Sequence, residues 1–174
     1  IDAARETLPP DQKASARLVF TAHSIPLSMA TESRYEAELK ESAALVAERL
    51  AINDWDLVSQ SRSGRPEDPW LEPDICDYLR MEQAKELTAV VVSPIGFVAD
   101  HIEVLYDLDT EAAKVSEAVG LAMVRASAVN DHPAFLDMMA DVVMTTCRRY
   151  EGGTPLPIVP LGCPPCTEWP PPAR

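Results

Sequence analysis

The sequence predicts an α/β fold: a four-stranded parallel sheet flanked by helices. Two observations predict it. Strand-like and helix-like segments alternate four times along the chain. The strand-like segments are short, continuous apolar runs, the pattern of strands covered on both faces.

Taken in order, residues 1–15 are polar around Pro9-Pro10 and read as a linker or the end of a missing N-terminal half. Residues 16–150 read as the α/β domain. Arg17 to Ala22 (RLVFTA) is rich in β formers and reads as the first strand. In Glu32 to Ala51, the residues Tyr35, Leu39, Leu45, Val46 and Leu50 recur near helical spacing, with Thr31 as the expected N-cap. Trp55 to Ser61 is the second strand. Pro73 to Lys85 is a short helix opened by proline. Leu87 to Ile95 (LTAVVVSPI) is the third and most apolar strand. Asp100 to Val119 is a long helix, and Gly120 to Ala126 a weaker fourth strand. Pro133 to Tyr150 is a last helix, with Phe135, Leu136, Met139, Val142 and Val143 expected on its buried side. Residues 151–174 hold half of the chain's sixteen prolines and read as a Pro-rich tail with little regular structure.

The composition is that of an ordinary globular protein, 47% hydrophobic and 25% charged. The formal net charge of −13 argues against nucleic acid as a partner and is compatible with attracting cations. No apolar run reaches the roughly 18 residues of a membrane span, and residues 1–17 lack the apolar stretch of a signal peptide. The expectation is a cytoplasmic protein, with peripheral membrane contact left open. Because the chain starts at Ile1, it reads as a fragment. The cysteines are Cys76, Cys147, Cys163 and Cys166. The first and second are expected to be buried small hydrophobes, and the third and fourth form a C-x-x-C.

Parallel sheets bind ligands beyond the C-terminal ends of their strands, so the post-strand segments carry the chemical interest. His23 follows the first strand in His23-Ser24-Ile25-Pro26, where Pro26 fixes the turn. A neutral imidazole there can bind a metal or take a proton; a turn histidine bonded to backbone fits the same position. Further on, Glu103, Asp107 and Glu111 follow one another at i, i+4 and i+8. At about 3.6 residues per turn they share one helix face, and local unwinding toward a π-helix would align them. Such a row suits a hard divalent cation, but taken alone it reads first as a solvated acidic helix start. Side by side at one sheet edge, His23 and Glu103 would face a common cleft. The loop Gln60-Ser61-Arg62-Ser63-Gly64 through Pro69-Trp70-Leu71-Glu72-Pro73 carries no expected chemistry, and Trp70 is expected to anchor it.

As a set, FTAHSIPLSM, QSRSG with PWLEPDICDYLR, and SPIGFVADHIEVLYDLDTEA resemble the C-terminal half of the ferrochelatases, over about residues 17–150. The resemblance implies a Rossmann-like chelatase half, a lyase activity that inserts Fe²⁺ into protoporphyrin or coproporphyrin in haem biosynthesis, and no organic cofactor. It implies His23 facing the porphyrin centre, Glu103 opposite it, and Asp107 and Glu111 leading metal inward. On that view His23 and Glu103 stand apart by the thickness of a flat ring, and Asp107 and Glu111 line up behind Glu103. The missing N-terminal half would supply the rest of the pocket. Some members carry a [2Fe–2S] cluster, and Cys163 and Cys166 match the start of its tail pattern, although the third tail cysteine is absent. Two other readings stand beside this one: a non-catalytic metal-binding half-domain, and a chelatase for another divalent metal such as cobalt.

Overall fold

A computed structural model describes residues 1–65 and 67–152. Two single-turn helices, α1 (Asp2–Arg5) and α2 (Pro10–Lys13), precede the first strand. Residues 1–15, expected as a linker or chain end, are thus partly helical. They also seat Leu8 in the core, where it is buried against the face of the sheet.

Then follow β1 (Arg17–His23), α3 (Leu27–Glu32), α4 (Tyr35–Arg49), β2 (Trp55–Gln60), α5 (Ile75–Gln83) and β3 (Ala89–Ser93). After β3 come α6 (Ile102–Tyr106), a π-helical segment (Asp107–Ala112), α7 (Ala113–Val119), β4 (Ala122–Arg125) and α8 (Pro133–Glu151). The four strands pair in parallel in the order β2-β1-β3-β4. The α/β class and the fourfold alternation therefore hold.

Alternation along β1 explains the layers. Leu18 and Phe20 point to the face covered by Leu8 and by Ala43 and Ala47 of α4. Val19 points to the other face, with Val58, Val90 and Val92, against Ile75, Tyr78 and Leu79 of α5, Val104 of α6, and Leu108 and Ala112 of the π segment. Each strand is apolar on both sides because each side has a helix layer on it. The chain runs outward from β1 to β2 on one side and returns to β3 on the other. The switch point therefore lies between the ends of β1 and β3, where ligands bind in such sheets.

Several local expectations change. The helix expected from Glu32 is split: Ser33 is extended, its hydroxyl accepts from the Tyr35 N–H, and α4 starts only at Tyr35. Thr31 caps nothing; its hydroxyl donates back to the Leu27 and Ser28 carbonyls inside α3. Helix α5 opens two residues after Pro73, and Asp74 is its N-cap, accepting from the Cys76 N–H at 2.8 Å. Gly120 ends α7 in the left-handed region at φ 72°, a conformation that favours glycine. The side of α8 expected to be buried is not: Phe135 is half-buried and Leu136, Met139, Val142 and Val143 are exposed, because no described segment covers that side. Cys147 on α8 is likewise exposed, whereas Cys76 is half-buried. Cys163, Cys166 and most of the Pro-rich tail lie outside the described residues.

Candidate metal-transfer site at the end of the sheet

His23 closes β1, directly beside Gln60, which closes β2. Two bonds hold the backbone around it: the Tyr35 hydroxyl donates to the His23 carbonyl at 2.8 Å, and the following N–H, of Ser24, donates to the Gln60 carbonyl at 2.7 Å. Ser24, itself buried, straps the HSIP turn to the next loop, its hydroxyl donating to the Leu71 carbonyl at 2.9 Å. The Leu27 N–H reaches the Pro69 carbonyl, and Pro26 bridges to Trp70. Trp70 sits beneath Gly64, where an added Cβ would fall 2.1 Å from the indole. That is the anchoring role expected of it.

The imidazole is oriented by its own turn. Nδ1 lies 2.5 Å from the Ser24 carbonyl oxygen, which only accepts, so Nδ1 carries a proton. Nε2 is the free face, and it points at Glu103, with Oε1 at 3.3 Å. Glu103 stands in the first turn of α6, where the positive end of the backbone dipoles favours a carboxylate. Sequence reasoning placed the two residues in one cleft but expected a gap between them. They meet instead, at a rim where both side chains are partly exposed and no bulky group stands between Nε2 and the carboxylate.

The carboxylate row runs along a widened helix. The i→i+5 segment spans Asp107–Ala112, as the spacing suggested. Asp107 is held toward β2: its Oδ2 accepts from Gln60 Nε2 at 3.2 Å and from the Ser61 hydroxyl. Gln60 is fully buried, with its Oε1 left without a partner. Glu111 is exposed and faces α5, where the half-buried Cys76 thiol is pushed up to about 11 by burial, with the negative fields of Asp74 and Glu111 adding to it. Among the described residues no three His, Cys, Asp or Glu side chains gather around one point. The row is thus a series of separate positions and not one closed chelate.

Sequence reasoning missed four supports: Ser24, Tyr35, Gln60 and Arg125. The signal for Arg125 was present, a cation ending a strand at the edge that carries the acidic row. Its guanidinium binds Asp100 and Asp109. Exposed apolar side chains flank the pair in sequence: Leu27 and Met29 after His23, and Val98, Ile102, Leu105 and Tyr106 around Glu103. Among the described residues no helix is long and apolar enough to cross a membrane.

Comparison with known proteins gives the family. The family model for ferrochelatase matches residues 1–147. A ferrochelatase of Rhodopirellula baltica is 52% identical over 131 residues, covering 75% of this chain and 37% of the relative. The coproporphyrin III ferrochelatases of Mycolicibacterium vanbaalenii and Mycolicibacterium smegmatis are 47% and 44% identical, covering 82% and 88% of this chain. The chain spans less than half the length of these relatives, 37%, 44% and 48% in turn. A family model that matches residues 1–147 and a relative 52% identical over three quarters of the chain lead to one conclusion: the chain belongs to the ferrochelatase family.

Proposed function

We propose that this chain forms one wall of a porphyrin cleft, and that the complete protein carrying it inserts Fe²⁺ into a porphyrin. The observation that carries the reading is the His23–Glu103 pair, Nε2 to Oε1 at 3.3 Å, at the switch point of a parallel sheet. Coproporphyrin III is the substrate to try first, since the mycobacterial relatives are named for it.

The chemistry suits the residues. Metal insertion into a free-base porphyrin forms four nitrogen–iron bonds and releases two N–H protons, so the site needs a cation ligand and proton acceptors. With a proton held on Nδ1 by the Ser24 carbonyl, His23 Nε2 is the basic nitrogen that faces the ring. Glu103 stands opposite as an oxygen ligand that holds Fe²⁺ and then releases it to the ring nitrogens. The porphyrin enters between them, and rotation of the partly exposed Glu103 side chain away from the imidazole opens the gap. The exposed apolar side chains of Leu27, Met29, Val98, Ile102, Leu105 and Tyr106 offer flat surface to the macrocycle. Binding energy spent there puckers the ring and exposes its lone pairs. Asp107 and Glu111 pass the incoming cation toward Glu103. A [2Fe–2S] cluster on Cys163 and Cys166 forms no part of this reading.

The test is anaerobic incubation of the complete protein with Fe²⁺ and coproporphyrin III, following loss of free-porphyrin fluorescence. Catalysed insertion is expected. Unchanged fluorescence, with protoporphyrin equally inert, contradicts the reading.

A further inference from the structure

Arg125 ends β4 at the same edge of the sheet as the His23–Glu103 pair. Its guanidinium forms a three-pronged clamp. Nε and Nη2 donate to the two carboxylate oxygens of Asp109 at 2.6 and 2.9 Å, and Nη1 donates to Asp100 Oδ1 at 2.7 Å. The Arg125 side chain is only 14% exposed. Asp100 is fixed in turn by the Ala128 N–H at 3.1 Å and the Asn130 amide at 2.9 Å, while its own N–H donates to Asn130 Oδ1. The Asn130 N–H then closes on the Val98 carbonyl.

The two carboxylates in this clamp flank Glu103 and Asp107 in sequence. Asp100 lies three residues before Glu103, and Asp109 lies inside the π segment, between Asp107 and Glu111. A π segment is a rare, local widening of an α-helix, frequently found at functional sites. A bidentate guanidinium–carboxylate contact is both strong and directional, and an ammonium group cannot reproduce it.

We propose that Arg125 is a positioning residue for iron entry: by gripping Asp100 and Asp109 together it fixes where the helix widens, and so sets the spacing of Glu103, Asp107 and Glu111. The inference rests on reading those three carboxylates as the path of the metal. Arg125 touches neither porphyrin nor iron; it acts through Asp109. Iron uptake should therefore depend on it, and porphyrin binding should not.

The experiment is steady-state kinetics on the full-length enzyme carrying this segment, with Arg125→Gln, Arg125→Lys and Asp109→Asn. Partner groups behind metal ligands are commonly worth about 10- to 100-fold in affinity or activity, so the KM for Fe²⁺ is expected to rise about tenfold or more in all three. The porphyrin KM should stay within about twofold in all three. A purely structural role for the clamp would instead lower the active fraction and the melting temperature, leaving both KM values in place. An unchanged Fe²⁺ KM in Arg125→Gln, or its full restoration by Arg125→Lys, overturns the proposal. Should Arg125→Gln not fold, Asp109→Asn, which opens the clamp from its more exposed side, decides the matter by the same criterion. His23→Ala, run alongside, separates the two levels. If it inserts iron normally, the site reading fails. If it is inactive while the Arg125 and Asp109 variants keep wild-type Fe²⁺ KM, only the positioning role fails.

Discussion

Gly96 lies against Ala22: a Cβ at position 96 would fall 2.6 Å from the Ala22 Cβ and 2.8 Å from its Cα. The Gly96 N–H also donates to the Thr21 carbonyl at 3.0 Å. This contact joins the end of β1, which carries His23, to the loop that leads into Glu103. Gly96→Ala must therefore push the two halves of the site apart. Overpacking of this kind costs roughly 1–3 kcal/mol. A chemical-denaturation midpoint should fall by that equivalent, with iron insertion reduced as well. A variant with unaltered stability and activity would show that the contact does not set the site.

Asp74 offers a test of capping against charge. Burial lifts its pKa, helped by the nearby carboxylates of Asp77 and Asp107 and opposed by the bond from the Cys76 N–H. A carboxyl whose native pKa is raised contributes stability at low pH, and loses that contribution as pH rises through the native value. At pH 7, then, Asp74→Asn keeps the cap acceptor and removes an unfavourable charge, so its melting temperature should equal or exceed wild type. Asp74→Ala also loses the cap and should cost about 1 kcal/mol. Equal destabilisation by both substitutions would refute this division.

Asp100 behaves in the opposite sense. Burial alone would lift its pKa, but bonds from Asn130 and Ala128 and the charge of Arg125 outweigh it and hold the carboxyl below its ordinary value. A depressed carboxyl contributes stability above its unfolded pKa, about 3.9, and loses it as pH falls through the native value. The stability gap between wild type and Asp100→Asn should be full at pH 5–8 and close below about pH 4. A gap that stays full in denaturant melts as pH falls well below about 4 would contradict the clamp's electrostatic character.

The sheet was legible because burial on both faces writes itself as apolar runs such as Val90-Val91-Val92, with no tertiary knowledge needed. His23 was legible because it follows such a run and precedes proline. The widened helix was legible in the spacing of Glu103, Asp107 and Glu111. The contacts that hold these residues were not. Ser24 and Leu71 are 47 positions apart, and Arg125 and Asp100 are 25 apart; no local period marks such pairs. The side of α8 was misjudged for a related reason. An apolar stripe records that a face wants cover, not that this stretch of chain supplies it. At the split, Ser33 is extended and its hydroxyl accepts from the Tyr35 N–H, the kind of local side-chain bond that competes with helix continuation.

The central claim is that His23 and Glu103 act on the two faces of a bound porphyrin during iron insertion. The most direct measurement is the rate of Fe²⁺ insertion by His23→Ala in the complete protein, with porphyrin binding measured in parallel by fluorescence quenching. General acid–base groups contribute about 100- to 10,000-fold, so kcat should fall by at least 100-fold while porphyrin still binds within a few-fold of wild type. Retention of most of the wild-type kcat would contradict the account.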